Sequence, residues 1–380
     1  MKLRILFAVT FLLHAACFGA AAPPVLPAAA PRAMMSFSKV LPAHKGPIKA
    51  LAWNPIVPIL ASGGYDGQIR LWDQESRLIK TIERPPACII SSLAWNPEGT
   101  ILASAEIAGE NGTICLWDAS GSLIRRFSLP SSQINSLSWN HNGTTLASAS
   151  HNGTFWLWDA SENLVTRVID GNRISIRSIT WTHDETGYSL FTCRKNGLIC
   201  KWTPDKMLIT SFIICDPEIL RFSGINPLHS FAWSPDGKIL AASGDKNGTI
   251  RFWKQDGRFM NVVENDGYDE ASVCRPNFKM PSRDKHVNSL AWSPDGTMLA
   301  AARADRGLLL WTTKDGKIIE RRKLSVSCTS STIIGPRDLA CSIQIHEEYS
   351  GGALCLSWSP DGKILATGDS HGKIHIFSFR

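Results

Sequence analysis

The chain has 380 residues, of which 44% are hydrophobic and 19% are charged. This composition is typical of a globular protein and excludes an intrinsically disordered chain, which combines low hydrophobicity with high net charge. The formal net charge of +7 is mild. It comes without a basic stripe interleaved with stacking aromatic residues, so we expect no nucleic acid partner.

The first 22 residues have the layout of a secretory signal peptide. Lys2 and Arg4 form a positive start, residues 5–16 are mostly apolar, and small residues follow. Such a segment directs export, so we expect an exported protein that is secreted, periplasmic or membrane-facing. An uncleaved membrane anchor and a cytoplasmic protein are the alternatives. Residues 23–35 are rich in Ala and Pro and are predicted to form a stiff linker.

One pattern recurs seven times along the rest of the chain: an apolar stretch ending in Trp, a polar turn, and a second stretch ending in an aromatic anchor. The first anchors are Trp53, Trp95, Trp139, Trp181, Trp233, Trp292 and Trp358. The second anchors are Trp72, Trp117, Trp158, Trp202, Trp253, Trp311 and Phe377. Ser-Pro-Asp-Gly and Asn-Gly turns between the stretches indicate short antiparallel strands. A small sheet of this kind buries both of its faces only when several sheets stack radially.

The motifs Leu71-Trp72-Asp73, Leu116-Trp117-Asp118 and Leu157-Trp158-Asp159 resemble the signature of WD40 repeats. Stretches such as His44-Lys45-Gly46-Pro47-Ile48 are also similar to transducin-β-like proteins. The resemblance covers residues 36–380 and implies an all-β, seven-bladed WD40 β-propeller. The last repeat stops after its third strand. We therefore expect an N-terminal strand at residues 36–41 to complete the last blade and close the ring.

The resemblance also indicates where a partner would bind. Extra residues between repeats cluster at 215–227, 264–285 and 325–351, on the face of WD40 propellers usually called the top. The family position that lines this face corresponds to Tyr65, Glu110, His151, Lys195, Lys246, Asp305 and Ser370. This ring is chemically mixed, which suits a protein or peptide partner. Trp156 is an additional tryptophan that either packs in the core or is an exposed anchor for a partner.

His44, Ser62 and Asp66 have the residue types of a catalytic triad. The resemblance instead implies that they form, together with Trp72, a structural hydrogen-bond tetrad. The sequence contains no phosphate loop, dinucleotide fingerprint, nucleophile elbow or zinc-protease motif. We therefore expect no catalytic residue, no metal and no cofactor.

Cysteines in the long loops would form disulfides only in an exported protein. Cys328 and Cys341 are the preferred pair. We expect a non-enzymatic scaffold or adaptor that binds a protein or peptide on the top face, as a monomeric ring within a complex. The alternative is a propeller enzyme, a hydrolase or lyase, with its site at the channel mouth.

Overall fold

The computed structural model describes residues 35–84, 88–159, 165–169, 173–184, 187–202, 208–213, 230–243, 248–263, 286–304, 307–314, 317–325 and 352–379. Its regular elements are 28 β-strands, and the residues described include no helix. The strands form seven four-stranded antiparallel sheets, which we number as blades one to seven along the chain.

The first three blades contain β2 (Ile48–Trp53), β3 (Leu60–Gly64), β4 (Ile69–Trp72) and β5 (Leu78–Ile82); β6 (Ile89–Trp95), β7 (Ile101–Ala108), β8 (Asn111–Asp118) and β9 (Leu123–Leu129); and β10 (Ile134–Trp139), β11 (Thr145–Ser150), β12 (Thr154–Asp159) and β13 (Val165–Ile169). Blades four to six contain β14 (Ile176–Asp184), β15 (Gly187–Arg194), β16 (Leu198–Trp202) and β17 (Leu208–Ile213); β18 (Ser230–Trp233), β19 (Ile239–Ser243), β20 (Ile250–Lys254) and β21 (Phe259–Val263); and β22 (Val287–Trp292), β23 (Met298–Arg303), β24 (Gly307–Lys314) and β25 (Lys317–Ser325). Blade seven contains β26 (Ala353–Trp358), β27 (Ile364–Asp369), β28 (Lys373–Phe379) and β1 (Met35–Pro42).

The first strands of the blades form a closed inner ring. Each one contacts the first strand of the next blade, from β2 and β6 through to β22 and β26, and β26 contacts β2 again. The fourth strand of each sheet therefore lies on the outer rim. This arrangement confirms the predicted all-β, seven-bladed propeller.

The N-terminal strand closes the ring, as predicted. β1 pairs antiparallel with β28, from Met35 opposite Phe379 to Pro42 opposite Lys373. The strand is slightly longer than the predicted 36–41. The backbone N–H groups of Ala43 and His44 both donate to Gly372 O, at 2.9 and 2.8 Å, and tie the chain to blade seven before it enters blade one.

Apolar side chains of neighbouring blades fill the spaces between them. Ile69 and Leu71 of blade one, for example, lie in one cluster with Ile90 and Trp95 of blade two. The extra tryptophan, Trp156, belongs to such a cluster and is only 5% exposed. Trp156 therefore packs in the core, and its proposed role as an exposed anchor is wrong.

Four of the seven first anchors bind the preceding blade through their indole N–H groups. In four blades the acceptor is the backbone carbonyl of the residue just before the preceding blade's own anchor. The pairs are Trp95 to Ala52 (3.3 Å), Trp139 to Ala94 (3.1 Å), Trp292 to Ala232 (3.2 Å) and Trp358 to Ala291 (3.2 Å). These tryptophans thus provide both apolar packing and a directional bond between sheets.

The second anchors bind within their own blade. Their indole N–H groups donate to a hydroxyl on the second strand. The pairs are Trp72 to Ser62 (2.9 Å), Trp117 to Ser104 (2.9 Å), Trp158 to Ser148 (2.8 Å) and Trp202 to Thr192 (2.9 Å). Blade six lacks this hydroxyl, because Ala301 occupies the register position of Ser62. The Nε1 atom of Trp311 is consequently buried without a hydrogen-bond partner.

Substituting Ala301→Ser should therefore stabilise the protein. The new hydroxyl would accept the Trp311 N–H bond, and a net gain of about 1 kcal/mol in the free energy of unfolding is expected. Urea denaturation followed by fluorescence measures the change. The same substitution in a Trp311→Phe background is the control. It should give no gain, and an equal gain there would contradict the assignment.

Candidate binding face

Two kinds of connection meet at one face of the ring, which we call the hairpin face. The hairpins between second and third strands lie there, as do the connections that lead from each fourth strand to the next blade, because neighbouring strands are antiparallel. The opposite face, which we call the turn face, carries the turns between first and second strands. The hairpin face is the predicted top face. The predicted binding loops 215–227 and 264–285, and residues 326–351 of the third, lie outside the described residues.

The four tetrad residues of blade one form one hydrogen-bonded chain. Trp72 Nε1 donates to Ser62 Oγ at 2.9 Å, and Ser62 Oγ lies 2.8 Å from His44 Nε2. On the other side of the imidazole ring, His44 Nδ1 lies 2.8 Å from Asp66 Oδ1. The same Nδ1 atom lies 2.6 Å from Arg70 Nη1. Arg70 completes the chain by donating to Asp66 Oδ2 at 2.9 Å.

The tetrad geometry is that of a structural element rather than a catalytic triad. Ser62 is fully buried, so its hydroxyl is not exposed to a substrate. Burial by itself would raise the pKa of the Asp66 carboxyl, but the hydrogen bonds from His44 and Arg70 outweigh it and hold that pKa well below its ordinary value. Burial lowers the pKa of His44, although the hydrogen bond to Asp66 opposes this. His44 is therefore neutral at neutral pH.

These two pKa shifts predict a pH dependence of stability. A pKa that is lower in the folded protein means that the folded state binds fewer protons, so stability falls as the pH drops. The loss should begin below about pH 6.5, where unfolded His44 is protonated, and increase below about pH 4, where unfolded Asp66 is protonated. Urea denaturation over this range measures it.

Two variants separate the contributions. Asp66→Asn removes the carboxylate, so the stability curve below about pH 4 should become flatter. Ser62→Ala leaves the Trp72 N–H and His44 unsatisfied, and should cost about 1–3 kcal/mol at neutral pH while keeping the acid dependence. An unchanged acid limb in Asp66→Asn would contradict the assignment.

Blade two replaces the tetrad with a buried ion pair that the sequence analysis missed. Arg84, from the connection between β5 and β6, donates to Glu106 Oε1 at 2.8 Å and to Oε2 at 2.9 Å. Ser104 Oγ lies 3.4 Å from Glu106 Oε1 and accepts the Trp117 indole bond. The guanidinium also lies over the Trp117 ring, 5.2 Å from its centre. Glu106 thus contacts the serine as His44 does in blade one, and Arg84 contacts Glu106 as Asp66 contacts His44.

Removing one member of this pair should be costly. Arg84 and Glu106 have side chains only 11% and 4% exposed, so Arg84→Met leaves a buried carboxylate without its cation, at a cost of about 3–5 kcal/mol. The double variant Arg84→Met/Glu106→Gln should recover part of that loss in urea denaturation. Arg77→Met, which removes an exposed ion pair, is the control and should change stability little. Equal losses in the single and double variants would contradict this account.

Blade seven carries a third version. Its Asp369 Oδ2 lies 3.1 Å from His375 Nε2, and both side chains are fully buried. Asp369 Oδ1 also accepts bonds from the backbone N–H groups of His371 (2.9 Å) and Lys373 (2.8 Å). The carboxylate therefore shapes the hairpin that receives the N-terminal strand.

The predicted ring of top-face residues is only partly placed as expected. One equivalent position is occupied by Tyr65, His151, Lys195 and Ser370. The backbone N–H of each donates to the carbonyl oxygen of the residue just before the first strand of its blade. Tyr65, His151 and Lys195 are exposed, whereas Ser370 is half-buried.

Differences in hairpin length shift the remaining members of this ring. In blade two the equivalent residue is Ile107, which pairs with Ile89, and Glu110 lies further out in the turn. In blade six the equivalent bond comes from Ala304. Asp305 and Lys246 lie outside the described residues. The assignment of Glu110 to this position is therefore wrong, because the β7–β8 hairpin is longer than its counterparts in the other blades.

A recurring structural position lies on the innermost strands. Six of these strands carry a register shift at a single residue, and these residues are Lys49, Ser91, Asn135, Arg177, Asn288 and Leu354. Three of the six donate to the backbone of the next blade: Ser91 to Ile134 O (2.6 Å), Asn135 to Ile176 O (2.8 Å) and Asn288 to Ala353 O (2.7 Å). The sequence signal was a polar residue inside an apolar strand.

The described cysteines are structural. All five described cysteines are buried, and these are Cys88, Cys115, Cys193, Cys200 and Cys355. Burial, together with the nearby Glu106 carboxylate, raises the pKa of the Cys88 thiol to about 11, and burial raises that of Cys355 to about 12. Neither thiol is therefore a nucleophile at neutral pH. Cys328 and Cys341, the predicted disulfide pair, lie outside the described residues.

Neither a metal site nor a membrane-spanning helix is found among the described residues. In this part of the chain, His, Cys, Asp and Glu side chains form no group of three or more that could hold a metal ion. No helix able to cross a membrane occurs among the residues described.

A family model described as "WD domain, G-beta repeat" matches residues 35–73, 76–118, 121–159, 218–254 and 340–378. The chain belongs to the WD40 repeat family. A second model, the WD40 domain of anaphase-promoting complex subunit 4, matches residues 272–334. The resemblance read from the Trp-Asp motifs is thereby confirmed.

Curated WD40 proteins from several organisms are similar to the chain. Target of rapamycin complex subunit wat1 of Schizosaccharomyces pombe is 24% identical over 269 residues, which are 70% of this chain and 78% of that protein. F-box-like/WD repeat-containing protein TBL1X of Mus musculus is 24% identical over 260 residues, 67% of this chain and 44% of that protein. THO complex subunit 3 of Arabidopsis thaliana is 25% identical over 154 residues, 40% and 37% of the two chains. The chain thus spans less than half the length of the last two.

The prediction of an exported protein is wrong. The relatives are subunits of intracellular complexes, which points to the cytoplasm or nucleus, and the comparisons do not support a signal peptide. WD40 propellers are typically non-catalytic scaffolds, and nothing in the comparisons indicates an enzyme.

Proposed function

We propose that this chain is a scaffold subunit of a protein complex, and that it holds a protein or peptide partner on its hairpin face. The relatives named as complex subunits support a protein partner. The choice of face is supported by an exposed aromatic residue mounted on a rigid hairpin.

Tyr65 is that residue, with 49% of its surface exposed. Its N–H is bonded to Pro47 O at 3.0 Å, and its neighbour Asp66 is held by His44 and Arg70. The backbone is therefore positioned before a partner arrives, so that little conformational entropy is lost on binding. Tyrosine is enriched among the hot-spot residues that contribute most of the binding free energy at protein interfaces.

The surroundings of Tyr65 favour a protein surface over a uniformly charged ligand. His151 and Lys195 are exposed at the equivalent hairpin positions of blades three and four, so the ring combines aromatic, imidazole and ammonium groups. The long connections 215–227, 264–285 and 325–351 would complete this surface, since long loops on a rigid scaffold frequently bind partners.

The test is quantitative affinity capture of the tagged chain from its own cells. One variant is Tyr65→Ala, which should weaken partner binding by about 2 kcal/mol. A second variant replaces residues 264–285, which connect blades five and six, with a glycine-serine linker. This linker is as long as residues 83–88, which connect blades one and two. Both variants should lose the same co-purifying proteins with nearly unchanged thermal unfolding. Glu98→Lys, on the exposed turn face, is the control and should retain them. Full retention by both variants would overturn the proposal.

A further inference from the structure

Blade one presents an apolar turn on the turn face. Residues 54–59 join β2 to β3, and Pro55, Ile56, Val57 and Pro58 of this turn are all exposed. Ile56 is 67% exposed, the highest value among the large apolar side chains that are described. A run of about three or more exposed apolar residues is unfavourable in a soluble protein unless it serves a function. This turn is therefore a candidate contact surface.

The corresponding turns of five other blades are polar. In all six blades, the residue after the first anchor donates its N–H to the carbonyl oxygen five residues later, so the positions can be matched. The residues matched to Ile56 are polar and exposed, and these are Glu98, Asn142, Asp236, Asp295 and Asp361. The next position holds a glycine in the left-handed region in each of these five turns, with φ between 67 and 70°. Val57 occupies that position in blade one, so this turn departs from the repeat in both conformation and chemistry.

The side chain of Asn54 makes the apolar turn rigid. Its Oδ1 accepts the backbone N–H groups of Ile56 at 2.9 Å and of Val57 at 3.0 Å. Its Nδ2 donates to Gly99 O of blade two at 2.7 Å, and the whole residue is buried. The two prolines of the turn restrict the backbone further. The apolar side chains are thus held in place before a partner arrives, so little conformational entropy is lost on binding.

Acidic residues border the apolar turn. Glu98 precedes Gly99, which accepts the bond from Asn54, and it is exposed in a turn that contains no Lys or Arg. Asp361 occupies the matched position in blade seven, on the other side, where Lys363 shares its turn. The six turns together contain four carboxylates and two lysines. An apolar centre bordered by carboxylates is complementary to a partner surface with apolar and basic groups, whereas it repels anionic partners.

We propose that the apolar turn of blade one is a docking site for a basic segment of a partner protein. Apolar side chains of this segment would cover Ile56 and Val57, and its Lys or Arg side chains would bind Glu98 and Asp361. A second copy of the chain fits poorly, because two such faces would place carboxylates opposite carboxylates. The site lies on the face opposite Tyr65, so it goes beyond the hairpin-face function and does not depend on it.

Fluorescence anisotropy on the full chain tests the proposal with three labelled peptides. The first is Arg-Lys-Leu-Phe-Lys-Arg, the second has Ser-Ser in place of Leu-Phe, and the third has Glu in place of every Arg and Lys. The wild-type chain should bind the first peptide at least about tenfold more tightly than either of the others.

Two variants and a matched control locate the binding. Ile56→Asn gives blade one the residue type that blade three has at this position, so the fold should tolerate it, and it should weaken binding of the first peptide about tenfold. Glu98→Lys should weaken it to a similar extent. Val262→Asn replaces an apolar residue that is 38% exposed on β21 of blade five, and it should bind as the wild type does.

Three results would overturn the proposal. These are equal binding of the first two peptides, unchanged binding by Ile56→Asn with an unchanged melting temperature, and unchanged binding by Glu98→Lys. Concentration-dependent dimerisation that Ile56→Asn abolishes would instead assign the turn to a second copy, and binding to anionic phospholipid vesicles that Ile56→Asn abolishes would assign it to a membrane. Tyr65→Ala should leave peptide binding unchanged, so failure of the hairpin-face function would remain distinguishable from failure of the turn-face site.

Discussion

The whole structure depends on the fact that each small sheet is apolar on both faces. The second strands show this most clearly: all five residues of β3 are buried, and β23 is buried at every position after Met298. A strand that is buried on both sides needs a sheet against each side, so no blade is stable without two neighbours. An open array would expose the two terminal faces. The pairing of β1 with β28 prevents this by fixing the start of the propeller to its last sheet, so that blade one packs against blade seven.

Close approach of the sheets requires small residues opposite large apolar side chains. Gly63 shows the limit, because a Cβ there would lie 2.5 Å from Ile90 of the next blade, and a Cβ on Gly368 would lie 2.7 Å from Ile48. Neighbouring backbones then come within hydrogen-bonding range of side chains such as Asn135. Apolar packing thus sets the distance between the blades, and directional bonds from the indoles and inner-strand side chains set their orientation. Packing alone would tolerate sliding of one sheet over the next.

The number of blades, the strand order and the closure of the ring followed from the repeated anchors, because the period of the pattern is also the period of the structure. The prediction failed where the repeats differ in length or chemistry. Glu110 was misplaced because the β7–β8 hairpin is longer than its counterparts. The Arg84–Glu106 pair was missed because its residues replace the expected ones at different sequence positions and meet only in the fold. The export prediction was wrong for another reason. A receptor recognises a targeting segment, and amino-acid composition alone does not distinguish such a segment from another apolar run.

The departures from the repeat divide the ring into two parts. In blades one to four, the second anchor bonds to a Ser or Thr hydroxyl on the second strand. Blades five and six have Ala242 and Ala301 at this register position. The long connections of the chain join blades four to seven, so they flank blades five and six, which lack this bond. Local opening costs least free energy where fewer internal bonds must break. We therefore expect blades one to three to act as the rigid platform for Tyr65, and blades five and six to adjust around a bound partner.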